Sequence, residues 1–124
     1  LDGYKQAEIE GAAVAAGVDC VVILCVNDGY VMQGWKQSRG LAGSELIVFL
    51  ADPFGKLTSA LGLNLPEPDA ELGPLLRGQR AAMLVIDGVV RHMEISDPNG
   101  DPSGDHSKLN TSAPHMLEVA KGLK

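Results

Sequence analysis

Two cysteines, three histidines and one oxygen-rich loop are the groups in this chain whose types could support chemistry, and their spacing decides what each could do. Cys20 and Cys25 stand in one apolar run, at an odd separation that turns strand side chains to opposite faces, so a disulfide between them requires the strand to break. They read as small buried hydrophobes, because a thiol in apolar surroundings has a raised pKa and reacts slowly. His92, His106 and His115 share no metal-ligand spacing with one another or with the cysteines, so no zinc site is expected, and His92 is placed on the exposed face of its strand. Asp97, Asn99, Asp101, Ser103 and Asp105 put oxygen atoms at alternate positions of a calcium-loop template. That template also wants a glycine and a bidentate glutamate where Pro102 and Lys108 stand, so the loop reads as solvated and acidic. No glycine-rich phosphate cradle occurs, and neither a cofactor nor a metal is expected.

At 124 residues the chain reads as one domain, 1–124. A chain of this size buries roughly two thirds of its unfolded surface, enough for a core without disulfides. A net charge of −6 argues against nucleic acid or an anionic membrane as partner, since both require clustered Lys and Arg. The apolar runs fall far short of the ~20 residues needed to span a bilayer, and no secretory signal pattern is present. The chain opens with Leu1 and Asp2 and passes at once into helix-like sequence, as a processed or partial product would.

These groups must be positioned by an α/β pattern. Ile9, Ala12, Ala13 and Ala16 recur at helical spacing over 4–16, and Gly17 follows as the stop. A continuous apolar strand over 20–26, rich in valine and without polar alternation, reads as buried on both faces. Asn27 or Asp28 then caps a helix over 29–39 with Tyr30, Val31, Gly34 and Trp35 as its apolar stripe. A second strand (46–50) ends at Asp52-Pro53, a short helix covers 54–61, and 62–79 is loop with one helical turn near 70–72. Asp87-Gly88 joins the strands 82–86 and 89–95 in a hairpin, the second strand alternating as near an edge. The loop 96–108 precedes a last helix over 112–122, capped by Thr111 or Ser112. The order is α-β-α-β-α-β-β-α.

That order, together with Gly17-Val18-Asp19, Val26-Asn27-Asp28, Tyr30-Val31-Met32, Trp35, Phe49-Leu50-Ala51-Asp52-Pro53, Leu61-Gly62-Leu63 and the run from Arg80 to Gly88, resembles the type-5 and plant type-II peroxiredoxins of the redoxin family. The resemblance covers nearly the whole chain. It implies a thioredoxin-like three-layer sandwich with a central mixed sheet, N-terminally truncated here, and a dimer contact through helix ends. It further implies reduction of hydrogen peroxide and alkyl hydroperoxides by a thiolate cysteine that thioredoxin or glutaredoxin recycles. Such a thiolate needs a helix N-terminus and a nearby cation to lower its pKa. Leu1-Asp2-Gly3-Tyr4 resembles the segment just after the family's peroxidatic cysteine, which places that cysteine a few residues before Leu1. Arg80 falls on the position of the arginine that orients the peroxide; without the resemblance it reads equally as a surface arginine at a strand start. Asp2 replaces a proline and Ala81 an aromatic residue of the family pattern. By the same resemblance the plant-type resolving cysteine aligns with Ile23 and the animal-type one near Asn110, which implies a one-cysteine mechanism in which an external thiol resolves the sulfenic acid. Cys25 is the weaker candidate for that resolving role.

Two functions follow. One is a thiol peroxidase whose catalytic cysteine lies upstream. The alternative is a non-catalytic redoxin subunit of a larger assembly, consistent with the lost resolving positions, Asp2 and Ala81. A sheet lacking its first strands exposes an edge that a protein partner or a missing segment must cover. Relatives occur in cytosol, mitochondria and plastids, and the sequence itself assigns no compartment.

Overall fold

A computed structural model describes residues 1–65, 77–96 and 109–123. They form two compact units, one of Cys20–Gln79 and the other of Leu1–Asp19 with Arg80–Lys124.

In the first unit, β1 (Val21–Cys25) pairs in parallel with β2 (Ile47–Ala51), running in register from Val21 opposite Ile47 to Cys25 opposite Ala51. Parallel neighbours need a crossover, which α3 (Gly29–Ser38) supplies. Of the two expected caps it is Asp28 that acts, its Oδ1 accepting from the Val31 amide at 2.9 Å. The apolar stripe of α3 differs from the expected one. Trp35 meets Phe49 edge-on as that stripe requires, with ring centroids 5.1 Å apart, but Tyr30 is 87% exposed and Met32 is 2% exposed in its stead. The helix is therefore rotated so that 32 and 35, one turn apart, face the strands. β1 is also not buried on both faces, since Val22 is half exposed. α3 covers the face that carries Phe49, and side chains alternate faces along a strand.

β2 leaves through Asp52-Pro53 into a turn where Gly55 takes a left-handed φ of 65°, and α4 (Lys56–Ala60) follows, shorter than expected. Antiparallel contacts then join the stretch around Asn64 to that around Gly78, with the Leu65 amide on the Arg77 carbonyl at 2.9 Å. The helical turn expected near 70–72 lies outside the described residues.

The second unit opens with a helix in two pieces, α1 (Asp2–Ile9) and α2 (Ala12–Ala15). Between them Gly11 adopts φ 74°, a left-handed backbone that breaks the amide ladder and that only glycine takes without steric cost. Helical periodicity over 4–16 runs straight through this glycine, so the single helix expected there is in fact two. Gly17 ends α2 as predicted, with the Val18 amide returning to the Ala13 carbonyl at 3.0 Å.

β3 (Ala81–Ile86) and β4 (Val89–Ile95) form the expected hairpin. Asp87 and Gly88 both have positive φ, 52° and 78°, the backbone of the tight turn that matches strand twist. The register shifts between Leu84 and Val85, which face His92 and Val90, so Arg91 is an extra residue on β4. A 3-10 turn (Leu109–Thr111) leads into α5 (Ala113–Gly122), with Ser112 at the N-cap and Pro114 in the first turn. α5 buries Ala113, Met116 and Ala120 and packs on α1 and β3. The approach to α1 is close: a Cβ on Gly3 would lie 3.5 Å from that of Ala113. Among the described residues the strands make two two-stranded sheets, one parallel and one antiparallel, where the resemblance implied one mixed sheet.

Candidate functional site

Arg80 is exposed and immediately precedes β3, and its carbonyl accepts the Ser96 amide at 3.0 Å, closing the open end of the hairpin. Its backbone is thus held by the ladder. Among the described residues its guanidinium has no carboxylate within ion-pair distance. Ala81 follows it on the strand, half-buried.

The first turn of α1 carries Asp2, an acid where the helix dipole favours one, and Tyr4. The Tyr4 hydroxyl donates to the Thr111 carbonyl at 2.9 Å, and burial pushes its pKa up to about 12. A phenol held this way is a neutral donor that pins α1 to the segment before α5. Asn110 bridges to the hairpin, its Nδ2 donating to the Ile95 carbonyl at 2.7 Å.

Neither cysteine is buried as expected. Cys20 is exposed ahead of β1, and Cys25 is half-buried at the end of it. The Asn27 side-chain amide lies 3.4 Å from the Cys25 sulfur, oriented to donate. Neither thiol stands at a helix N-terminus, the setting that generates a reactive thiolate. Asp52 is buried at the start of α4, where its carboxylate accepts from the Thr58 amide and hydroxyl, both at 2.8 Å, and from the Leu57 amide at 3.3 Å. The Thr58 amide above all holds this carboxyl below its ordinary range, against the opposing effect of burial.

Of the histidines, His92 is not on a free exposed face. Its Nε2 lies 2.9 Å from Oε1 of Glu94, and Nε2 of His115 lies 3.3 Å from the same oxygen. These bonds hold the Glu94 carboxyl below its usual range. Linear spacing excluded a shared histidine site, and folding overturns that argument: β4 supplies two groups and the first turn of α5 the third. The pair His92 and Glu94 was readable as alternate residues on one strand face, but nothing local to His115 points to them. His106 and the calcium-like loop lie outside the described residues.

The sequence pattern described as Redoxin matches residues 7–112. The chain belongs to the redoxin family. Within it the similar proteins are peroxiredoxins: chloroplastic peroxiredoxin-2E-2 of Oryza sativa subsp. japonica is 37% identical over 90 residues, covering 73% of this chain and 40% of the relative. Chloroplastic peroxiredoxin-2E of Arabidopsis thaliana is 31% identical over 109 residues, 88% of this chain and 43% of the relative. Reduced Prx3 of Vibrio vulnificus, solved in complex with hydrogen peroxide, superposes with a TM-score of 0.75 at 29% identity, over 96% of this chain and 65% of that one. This redoxin therefore has the thioredoxin-like peroxiredoxin fold, and it spans about two fifths of the length of those curated relatives. Among the described residues no helix is long and apolar enough to cross a membrane.

Proposed function

We propose that residues 1–124 act as a single redoxin domain of a thiol-dependent hydroperoxide reductase, in which Arg80 orients and polarises the peroxide. The observation that carries this reading is the Redoxin match across residues 7–112, joined to the likeness to a peroxiredoxin solved with hydrogen peroxide. Cys20 and Cys25 are placed on and beside a strand, so the attacking thiolate belongs to a residue other than these two. In the reaction the thiolate sulfur bonds to the terminal peroxide oxygen while the O–O bond breaks. The leaving oxygen takes a proton as water or alcohol, and the cysteine is left as sulfenic acid. With the resolving positions aligning with Ile23 and near Asn110, an external thiol of thioredoxin or glutaredoxin type reduces the sulfenic acid. An exposed guanidinium without an ion-pair partner among the described residues suits Arg80 to its role, because a preorganised cation aimed at developing charge lowers the barrier. The chloroplastic relatives support a plastid or other organellar location.

The second reading is a redoxin domain without chemistry, serving as a subunit whose sheet edges a protein partner covers. Asp2, Ala81 and the absent resolving cysteines favour it. The two readings separate on the full-length protein. Determining the residues before Leu1 and measuring hydroperoxide consumption should reveal a Thr-x-x-Cys and an activity that Arg80→Ala lowers on the order of 100-fold. Since Arg80 is exposed, thermal stability should stay within about 0.5 kcal/mol of the parent. Full activity in Arg80→Ala would remove Arg80 from the mechanism. The lack of any cysteine upstream would leave the subunit reading.

A further inference from the structure

We propose that His92, Glu94 and His115 form a binding site for one zinc ion, which fastens α5 to the β3–β4 hairpin. The ligand atoms of the three residues all lie within 4.8 Å of one another. Two of the separations are 2.9 Å and 3.3 Å. Two ligands each bonded to zinc at about 2.0–2.1 Å in tetrahedral geometry stand roughly 3.4 Å apart, so the constellation needs little rearrangement to close on an ion.

The positions are set by rigid elements. His92 and Glu94 are alternate residues of β4 beyond the bulge at Arg91 and so share a face. His115 sits in the first turn of α5. Asn110, bonded to the Ile95 carbonyl, ties the segment entering α5 to the end of β4, so the two halves of the site are joined independently of any ion. Ligands held on packed elements in this way lose little freedom on binding metal. The side chains of His92, Glu94 and His115 are 33%, 27% and 42% exposed, which gives an ion access from solvent and leaves a fourth coordination position to water.

The donor set argues against calcium and magnesium, which require shells of oxygen, and for a divalent transition metal. Zinc accepts two imidazoles, one carboxylate and a water in tetrahedral geometry, and it is the ion the proposal commits to. Without metal, Nε2 of each ring lies within hydrogen-bond distance of Glu94 Oε1. A zinc ion takes Nε2 of a neutral ring whose proton sits on Nδ1, so binding exchanges two hydrogen bonds for three coordinate bonds.

The inference does not depend on peroxidase chemistry, and its test avoids activity. The full chain, without a histidine tag and stripped with EDTA, is titrated with zinc against a chromogenic chelator. One ion per chain should bind at micromolar zinc and raise the melting temperature. Affinity should fall in His115→Ala and in Glu94→Gln by more than the roughly 10- to 100-fold that losing an outer-shell partner costs, and the rise in melting temperature should shrink with it. Alanine is the best helix former and position 115 is exposed, so the first variant should fold, which circular dichroism verifies. Cobalt substituted for zinc should give a spectrum without a thiolate-to-metal band, and zinc should shift the imidazole nitrogen resonances of His92 and His115. Absence of uptake, undiminished binding in His115→Ala, or a thiolate band placing the ion on a cysteine would each overturn the site.

Discussion

At the scale of single residues, Asp52 shows most clearly how the tertiary environment assigns a job. In the sequence it is half of a strand-ending Asp-Pro turn. In the structure its carboxylate gathers the Thr58 amide and hydroxyl and the Leu57 amide. Those donors favour the charged form, so the folded pKa lies below the ordinary 3.8. The unfolded state therefore binds the proton more readily. The stabilisation is fully present above that ordinary value and is lost as the pH falls from it through the folded pKa. Asp52→Asn should lower the melting temperature by several degrees near neutrality and flatten the acid limb, seen in thermal melts between about pH 7 and pH 3. An unchanged acid limb would mean that another carboxylate dominates. Arg80 is the opposite case. Its exposure suits the proposed role but is common to surface arginines, and what singles it out is the wording of the surrounding strand. For the cysteines, polarity patterning gave their place on or near a strand but not their exposure, because exposure depends on which face a neighbouring helix covers.

At the scale of elements, the hairpin was fully legible: Asp-Gly between apolar runs demands positive φ at both central residues, and both have it. The bulge within it was not. An extra residue opposite a strand pair leaves no compositional trace, yet it resets which side chains of β4 share a face with the partner strand. The split of the first helix lies between these cases, since a glycine inside a periodic run is compatible with continuation or with a break. This difference is testable. In a continuous helix Gly11→Ala would stabilise by about 1 kcal/mol. At φ 74°, with open space around the added methyl, the left-handed backbone should instead cost about 1–2 kcal/mol, measured by chemical denaturation. The facing of α3 was legible in part: Trp35 belongs to the expected stripe and packs on Phe49, whereas Tyr30, assigned to the same stripe, is exposed and Met32 is buried.

At the scale of the molecule, acidity is the property with the most direct consequence. A net charge of −6 repels polyanions at every orientation that lacks a basic cluster. The full chain should pass through heparin without retention at about 0.15 M salt, where the Debye length is roughly 8 Å, and should not sediment with anionic vesicles. Retention would reveal a basic surface that the overall charge conceals. The two compact units, each with its own two-stranded sheet, share one family pattern over residues 7–112.

The sequence alone determined the α/β class, the order of the elements along the chain and the tight turns, since each rests on residues a few positions apart whose backbone preferences act locally; it narrowed two helix caps to two candidates each, and its motifs from Gly17 to Gly88 carried the peroxiredoxin resemblance. Tertiary structure alone decided which faces are covered, where the first helix breaks, and that His115 reaches Glu94 and His92. A contact across 21 residues depends on how a helix docks on a strand, and docking is a property of the packed whole that no local pattern carries.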